Sequence, residues 1–563
     1  MFLRTKKIRD KNGKIYEYEQ MVESYRANGK VHQKVVMTLG KKGEISPDKI
    51  QTIIKTLLKK DPMLQLIRQL DQKSPDIKIL KNQEYGSYFI FRFIWEKLCL
   101  QKAFEKIAPR GTEKEFAEIS FLLVLYRILS PGSERKMSTT FERKIFHQLK
   151  SKPKLNFLYD VIHRIQEKRI DIEKTVFDQV QGFFPEKMSL LYFDTTSLVV
   201  FGDYKNSEIA AYGHSKDKRF DKKQIIVGLV LTENSFPVGI TEEIGSQPDV
   251  KNFVSILEKT KEKYQAEEMI FVGDKGMNSK TNREKLLENN QKYILGVRAQ
   301  NEKLIAQAVE ELDFKDATLL PMNNHQKKLI RKICKNENPE NFQTRVTEKN
   351  IDGRRIVFFF NPIEKHEAQV TRLAVINKLK EKVRTVQDIK KLIGNSAYKS
   401  FISINKTGKG EEQIEVKIDE SKIEKLKRFD GITAVETNTD LSTVDVVRQY
   451  KQLITVEHSF SDLKTTLECR PIFHKTDHNI KGHIFINFLA LLLYSTLFHQ
   501  LGDSFEEKSR YEIIAALKEI QVHHVQENKR KYLIRTELTP IFQNICSLLK
   551  LKPPNRILGQ LKV

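Results

Sequence analysis

Tyr450, Glu457 and Lys464 stand seven residues apart in the stretch Tyr450-Lys-Gln-Leu-Ile-Thr-Val-Glu-His-Ser-Phe-Ser-Asp-Leu-Lys464. On an α-helix that spacing keeps them on one stripe, drifting only ~20° per heptad. The stripe presents a carboxylate, a hydrogen-bonding aromatic and a cation from one rigid element. This set suits a metal-dependent site acting on a phosphodiester, with the acid on the metal and the lysine on phosphate. Two more acids close apolar runs: Asp194 in Ser189-Leu-Leu-Tyr-Phe-Asp-Thr-Thr-Ser, and Asp274 in Glu268-Met-Ile-Phe-Val-Gly-Asp. Aspartates brought side by side repel unless cations sit between them. Hard carboxylate oxygens favour Mg²⁺ or Mn²⁺ over zinc.

These groups need elements to hold them. Ser442 can cap the helix with Asp445 at its third position. Val446, Leu453, Val456, Phe460 and Leu463 form one apolar arc beside the stripe, and Pro471 is expected to end the helix. Upstream, strands are read at 189–197, 224–232, 236–240, 268–274 and 292–298, each aspartate closing its strand. Helices are read at 249–264 and 278–289. The order β-β-β-α-β-α-β is the ribonuclease-H-like pattern. Its first and fourth strands lie side by side and parallel, so their carboxyl ends bring Asp194 and Asp274 together in the crevice where open α/β sheets place ligands.

The chain has 563 residues, 98 Lys+Arg against 73 Asp+Glu, and a formal charge of +25. An excess of that size favours a polyanionic partner, above all nucleic acid. Cys99, Cys334, Cys469 and Cys546 are scattered without a CxxC pair, which excludes a zinc knuckle or disulfide framework and fits a reducing cytoplasm. The N-terminus has no apolar core of signal-peptide length. The run Ile484–Phe498 falls short of the ~20 residues that span a bilayer, so a buried core helix is expected and no membrane partner.

Six segments follow from the patterning. Residues 1–45 read as a small basic β-meander with a turn at Asn28-Gly29, and 46–180 as a helical, DNA-contacting region. In the latter, helices at 50–70, 88–100 and 116–129 precede the turn Ser130-Pro-Gly-Ser133 and a basic helix from 134 to about 150, which is compatible with a helix-turn-helix reader. Residues 185–299 form the first part of the core and 300–435 a mixed α/β insertion departing from it. That insertion is read with strands near 341–346, 354–360 and 400–417 and helices at 365–379 and 385–393. Residues 436–500 complete the core with the catalytic helix, and 501–563 read as basic helices.

At these residues the chain resembles a known family. Tyr-Phe-Asp194-Thr-Thr, Val-Gly-Asp274-Lys-Gly-Met and Tyr450-x6-Glu457-x6-Lys464 are similar to the DDE transposases of bacterial insertion sequences with the YREK signature. Gly213-His-Ser-Lys-Asp-Lys-Arg, Arg470-Pro-Ile-Phe-His-Lys and His483-Ile-Phe-Ile-Asn-Phe extend the likeness. The resemblance implies Asp194, Asp274 and Glu457 as catalytic metal ligands, with Asp194 bridging two Mg²⁺ ions that Mn²⁺ can replace. Tyr450 and Lys464 would grip phosphates beside the cut. Lys216 and Arg219, with Lys218, Lys222 and Lys223, would continue that grip from a basic loop. The implied activity is cleavage at the element's ends and their joining to target DNA by a homodimer on double-stranded DNA, in the bacterial cytoplasm at the nucleoid. A ribonuclease-H-like nuclease without strand transfer and a catalytically silent, domesticated DNA-binding protein are the alternatives. The chain departs from the signature at Leu453, where the family has arginine.

Overall fold

The computed structural model describes residues 2–27, 30–44, 77–149, 151–183, 190–202, 204–213, 219–247, 270–322, 338–382, 400–406, 414–505, 507–527 and 530–561, with isolated positions between them. The expected turn at Asn28-Gly29, the helices read at 50–70, 249–264 and 385–393, and Lys216 lie outside the described residues. The chain forms two compact units: residues 1–81, 523–534 and 557–563, and residues 82–522 with 535–556.

In the first unit, β1 (Phe2–Arg9), β2 (Ile15–Ala27) and β3 (Lys30–Lys41) pair antiparallel in sequence order, as the alternation predicts. Asp10 closes the first turn, its Oδ1 accepting from the backbone N–H of Asn12 and Lys14 at 2.9 and 3.0 Å. β4 (Ile77–Glu84) follows.

The second unit begins with α1 (Gly86–Lys97), α2 (Leu100–Ile107), α3 (Glu113–Leu129), α4 (Glu134–Lys144), α5 (Leu155–Glu167) and α6 (Arg169–Phe183). Every residue of α3 from Phe116 to Leu129 is buried. The bend between α3 and α4 is 98°, within the range of a helix-turn-helix pair. α4 is shorter than the sequence suggests. Ile145 bridges to Glu84, and the Phe146 N–H donates to the Glu84 carbonyl at 2.9 Å, which draws the chain out of the helix.

The core sheet is built from β5 (Leu190–Val199), β6 (Gln224–Thr232), β7 (Pro237–Ile244), β8 (Ile270–Gly273) and, after α7 (Lys280–Glu288), β9 (Lys292–Val297). Their order in space is β7-β6-β5-β8-β9, with β8 parallel to both β5 and β9 and the β5-β6-β7 pairs antiparallel. This is the ribonuclease-H-like arrangement. β5 does not end at Asp194. It runs on through Thr195, Thr196, Ser197 and Leu198, all buried and paired with β6. The acid is expected to close the apolar run, but the β-branched threonines after it favour strand on a covered sheet.

The segment 300–435 departs from the core less than its patterning implies. It holds α8 (Lys303–Glu310), β10 (Thr318–Leu319), β11 (Arg345–Ile351), β12 (Arg354–Phe360), α9 (Pro362–Lys382), β13 (Ile402–Lys406), β14 (Ile414–Ile418), α10 (Glu420–Lys427) and β15 (Ile432–Thr437). β15 pairs antiparallel with β9, and β12, β11 and β10 continue outward, making one sheet of nine strands. The reason is a shared core: Val297, Ile305, Val309, Ile356, Phe358 and Ala434 pack in one cluster.

The organising helix comes next as α11 (Thr443–Gln452), α12 (Ile454–Ser461) and a π-helical turn, Asp462–Thr466. α13 (Asp477–Leu501) is the one unbroken helix among the described residues long and apolar enough to cross a membrane, yet it is largely buried against α3, α5 and β7. It is a core helix. The tail is not helical throughout: between α14 (Arg510–Glu519) and the end lie β16 (Gln521–Glu527), β17 (Arg530–Arg535), α15 (Pro540–Leu548) and β18 (Ile557–Leu561). These strands form a sheet in the order β18-β17-β16-β4. Their basic residues suggest helices, and Gln521-Val-His-His-Val, with its valines three apart, carries no two-residue alternation to mark the strand.

Candidate active site

Asp194 sits in the middle of β5, the single position of that strand that is not fully buried. Asp274 follows directly on β8. The register pairs Tyr192 with Val272, so two residues further along the parallel strands the aspartates stand opposite each other. Period-two alternation then points Tyr192 and Asp194 to one face. Each carboxylate is oriented by backbone: Asp194 Oδ1 accepts from the Thr195 N–H at 2.7 Å, and Asp274 Oδ1 from the Gly276 N–H at 2.8 Å.

The helix that carries Tyr450 and Glu457 starts as its sequence dictates. Ser442 caps α11, its Oγ accepting from the Asp445 N–H at 3.1 Å. Val446, Leu453, Val456, Phe460 and Leu463 are all buried, at 0–9% exposure. A polar latch that the spacing did not reveal fixes its rotation. The Tyr192 hydroxyl lies within hydrogen-bond reach of Gln449 Oε1 and, at 2.9 Å, of Gln452 Oε1, and its one proton serves either acceptor. Gln449 Nε2 in turn donates to Glu233 at 3.0 Å. The signal was present: Gln449 is a polar residue three after Val446 on the buried arc, and Tyr192 shares a face with Asp194.

Tyr450 is pressed against the sheet. A Cβ at position 296 of β9 would lie 2.4 Å from its hydroxyl oxygen, so only glycine admits this approach. Burial, then the negative charges of Asp274 and Glu457 and that of Glu364 on α9, push the Tyr450 phenol up from its ordinary value. One hydroxyl therefore feels the charges of both acids. It stays protonated and is a hydrogen-bond donor at neutral pH.

Lys464 does not continue the α-helical stripe. The chain widens into the π-helical turn, with the Leu467 N–H donating to the Asp462 carbonyl at 2.9 Å, and the helix ends there, four residues before Pro471. Such turns gather at functional sites. The basic loop is partly spoken for: Arg219 pairs with Asp221 through Nε and Nη2 at 2.9 and 3.0 Å, and Lys223 donates to the Tyr204 carbonyl at 3.0 Å. Leu453, in place of the signature arginine, packs into the core at 9% exposure. Neither neighbour stands free in its stead, since Arg448 pairs with Asp445 at 2.5 Å and Lys451 donates to Thr344 at 2.8 Å.

A family model for the transposase DDE domain matches residues 185–493, more than half of the chain. The chain belongs to the DDE transposases. The N-terminal domain of IS1634 family transposases matches residues 3–64, which makes this an insertion-sequence transposase. Among solved structures, the piggyBac transposase synaptic complex with hairpin DNA is similar at 10% identity and a TM-score of 0.37, over 77% of this chain and 79% of that one. No curated protein gives a significant match.

This transposase is a metal-dependent enzyme that cleaves DNA and transfers strands. The donor set fits a hard divalent ion: Asp194, Asp274 and Glu457 offer carboxylate oxygens alone, two from adjacent parallel strands and one from the helix. The exposed Glu457 can adjust to an ion while the strands stay fixed. The group of possible ligand atoms that lie within 4.8 Å of one another among the described residues is instead Glu134, His474 and His483. It is buried among the helices and differs in chemistry from the carboxylate site.

Proposed function

We propose that Asp194, Asp274 and Glu457 are the catalytic acids of this transposase and would hold two Mg²⁺ ions, with Mn²⁺ able to replace them. Bound there, the ions supply an activated attacking oxygen and charge stabilisation of the leaving oxygen. The observation that carries the reading is the parallel register of β5 and β8, which pairs Tyr192 with Val272 two residues before Asp194 and Asp274, with Tyr450 answering to the charges of both Asp274 and Glu457.

The protein's own groups do the rest. The strands and the Tyr192–Gln449 latch hold the two aspartates and the helix that carries Glu457, leaving only the exposed Glu457 side chain to adjust when DNA and ions arrive. Tyr450 donates a hydrogen bond to a phosphate oxygen beside the cut, Lys464 grips the neighbouring phosphate, and Arg219 and Lys216 extend the contact along the backbone. The α3–α4 pair within residues 46–180 reads the element's ends. The enzyme works as a homodimer holding two ends, in the bacterial cytoplasm at the nucleoid.

The test is joining. Purified protein, Mg²⁺, short duplexes carrying the native flanks of the gene and a supercoiled plasmid are incubated together. Paired insertion of both ends into the plasmid supports the reading. Cuts in the duplexes without any joined product would make the protein a nuclease, and tight binding without cuts a silent DNA-binding protein.

A further inference from the structure

Four side chains that the chemistry above does not use are buried together: Arg127 at the end of α3, Glu134 at the start of α4, and His474 and His483, exposed by 2, 2, 6 and 1%. Arg127 Nη2 donates to Glu134 Oε1 and, at 3.2 Å, to His483 Nδ1. His474 Nε2 lies 3.2 Å from Glu134 Oε2. His483 Nε2 reaches the Cys469 carbonyl at 3.0 Å. The N–H of the same Cys469 donates to the Leu463 carbonyl at 3.0 Å. Cys469 thus couples the buried cluster to the residue beside Lys464, inside the π-helical turn.

We propose that Arg127, Glu134 and His483 are positioning residues that fix the turn presenting Lys464, and so tie the α3–α4 pair to the phosphate grip of the active site. The proposal rests on the reading of Lys464 as a phosphate contact. Its physical basis is rigidity. A π-turn has few internal bonds to define it, and a carbonyl anchored to a buried imidazole that Arg127 itself holds cannot drift without breaking one of those hydrogen bonds and leaving buried polar groups unsatisfied. Burial and the Arg127 cation push the His483 imidazole down to about 4. It is therefore neutral at working pH, accepting at Nδ1 from Arg127 and donating at Nε2 to Cys469.

A metal is the rival occupant. Ligand atoms on a tetrahedral zinc lie ~3.3 Å apart, and the separations of Glu134 from His474 and His483, 3.2 and 3.7 Å, come near that. Arg127 already puts its cation against both Glu134 and His483, on the same lone pairs an ion would need. The guanidinium does the ion's work.

The experiment is a double-mutant cycle on the full-length protein. Glu134→Gln, His483→Leu and His483→Gln are made alone and with Lys464→Ala. The affinity for end duplex and the single-turnover cleavage rate at saturating enzyme are measured separately. Loss of a charged phosphate contact weakens binding about tenfold or more. Glu134→Gln and His483→Leu are expected to weaken end binding by that factor, with the saturated rate within about twofold of wild type. His483→Gln, which keeps an amide donor for Cys469 and folds where the charged cluster is less disturbed, should recover most of the loss. In the Lys464→Ala background neither substitution should cost more. Full additivity with Lys464→Ala would overturn the proposal while leaving the Lys464 contact intact. Wild-type binding by Lys464→Ala would remove both. One tightly held zinc per chain, lost in His474→Ala, would also overturn it.

Discussion

Replacing Gly296 by alanine perturbs the site without touching a charged group. The added Cβ would lie 2.4 Å from the Tyr450 hydroxyl oxygen, 2.8 Å from Lys275 Cγ and 3.0 Å from the Lys275 N, where ordinary contact begins at 3.4 Å. The hydroxyl must therefore move by about 1 Å, and Lys275 pulls on Asp274 beside it. Overpacking of this kind costs about 1–3 kcal/mol of stability. A ~1 Å displacement of a positioned group costs up to ~10²-fold in rate, about 2.7 kcal/mol in activation free energy. The assay is single-turnover cleavage of end duplex in Mg²⁺, with urea unfolding of the same preparations. Gly296→Ala should lose both rate and stability. Adding Tyr450→Phe removes the clashing oxygen, so the double variant should regain stability but not rate. Wild-type cleavage by Gly296→Ala, or a stability loss that Tyr450→Phe leaves unchanged, would refute the placement of Tyr450.

Other outcomes follow from the same geometry. Gln449→Leu removes partners of both Tyr192 and Glu233, and should lower stability by about 1–3 kcal/mol and slow cleavage without weakening end binding; equal cleavage rates would contradict the latch. Asp274→Asn should leave end binding within a few-fold of wild type in a gel-shift assay while abolishing cleavage in Mg²⁺. Acid should destabilise the protein in two steps. His483 has its imidazole pushed down to about 4 from 6.5, so the unfolded chain binds the extra proton and stability falls as pH drops from about 6.5 towards 4, by up to about 3 kcal/mol. Burial pushes the Glu134 carboxyl up, but Arg127 and the two imidazoles outweigh it and hold it well below 4.5. Its contribution is present above pH 4.5 and is lost below it. Urea midpoints at pH 7.5, 5.5 and 4.5 check the sign, and a midpoint that rises on acidification contradicts it.

Much of the site is legible in the sequence because its signals are local. Asp194 and Asp274 mark apolar runs, the Ser442 cap and apolar arc define the helix, and a seven-residue period puts Tyr450 and Glu457 on one side. What escapes is non-local. The partner of β9 is β15, more than a hundred residues later, and nothing in Ile432-Thr-Ala-Val-Glu-Thr announces that pairing. The same holds for the tail strands β16–β18, which close a sheet on β4 across most of the chain. A seven-residue stripe presupposes one uniform helix, whereas the chain breaks at Leu453 between α11 and α12 and changes pitch again at the π-turn that carries Lys464. Gly296 carries no pattern of its own, since its meaning depends on a tyrosine that packs on it from another element.

The central claim is that Asp194, Asp274 and Glu457 act as one metal-holding set. The most direct measurement is end cleavage of a plasmid bearing the gene's native flanks in Mg²⁺, Mn²⁺ or EDTA, with wild type beside Asp194→Ala, Asp274→Ala and Glu457→Ala. The account predicts cuts at both flanks in either metal, none in EDTA, and none from any of the three variants, all of which still bind the ends. Undiminished cutting by even one variant, or cutting that persists in EDTA, would contradict it.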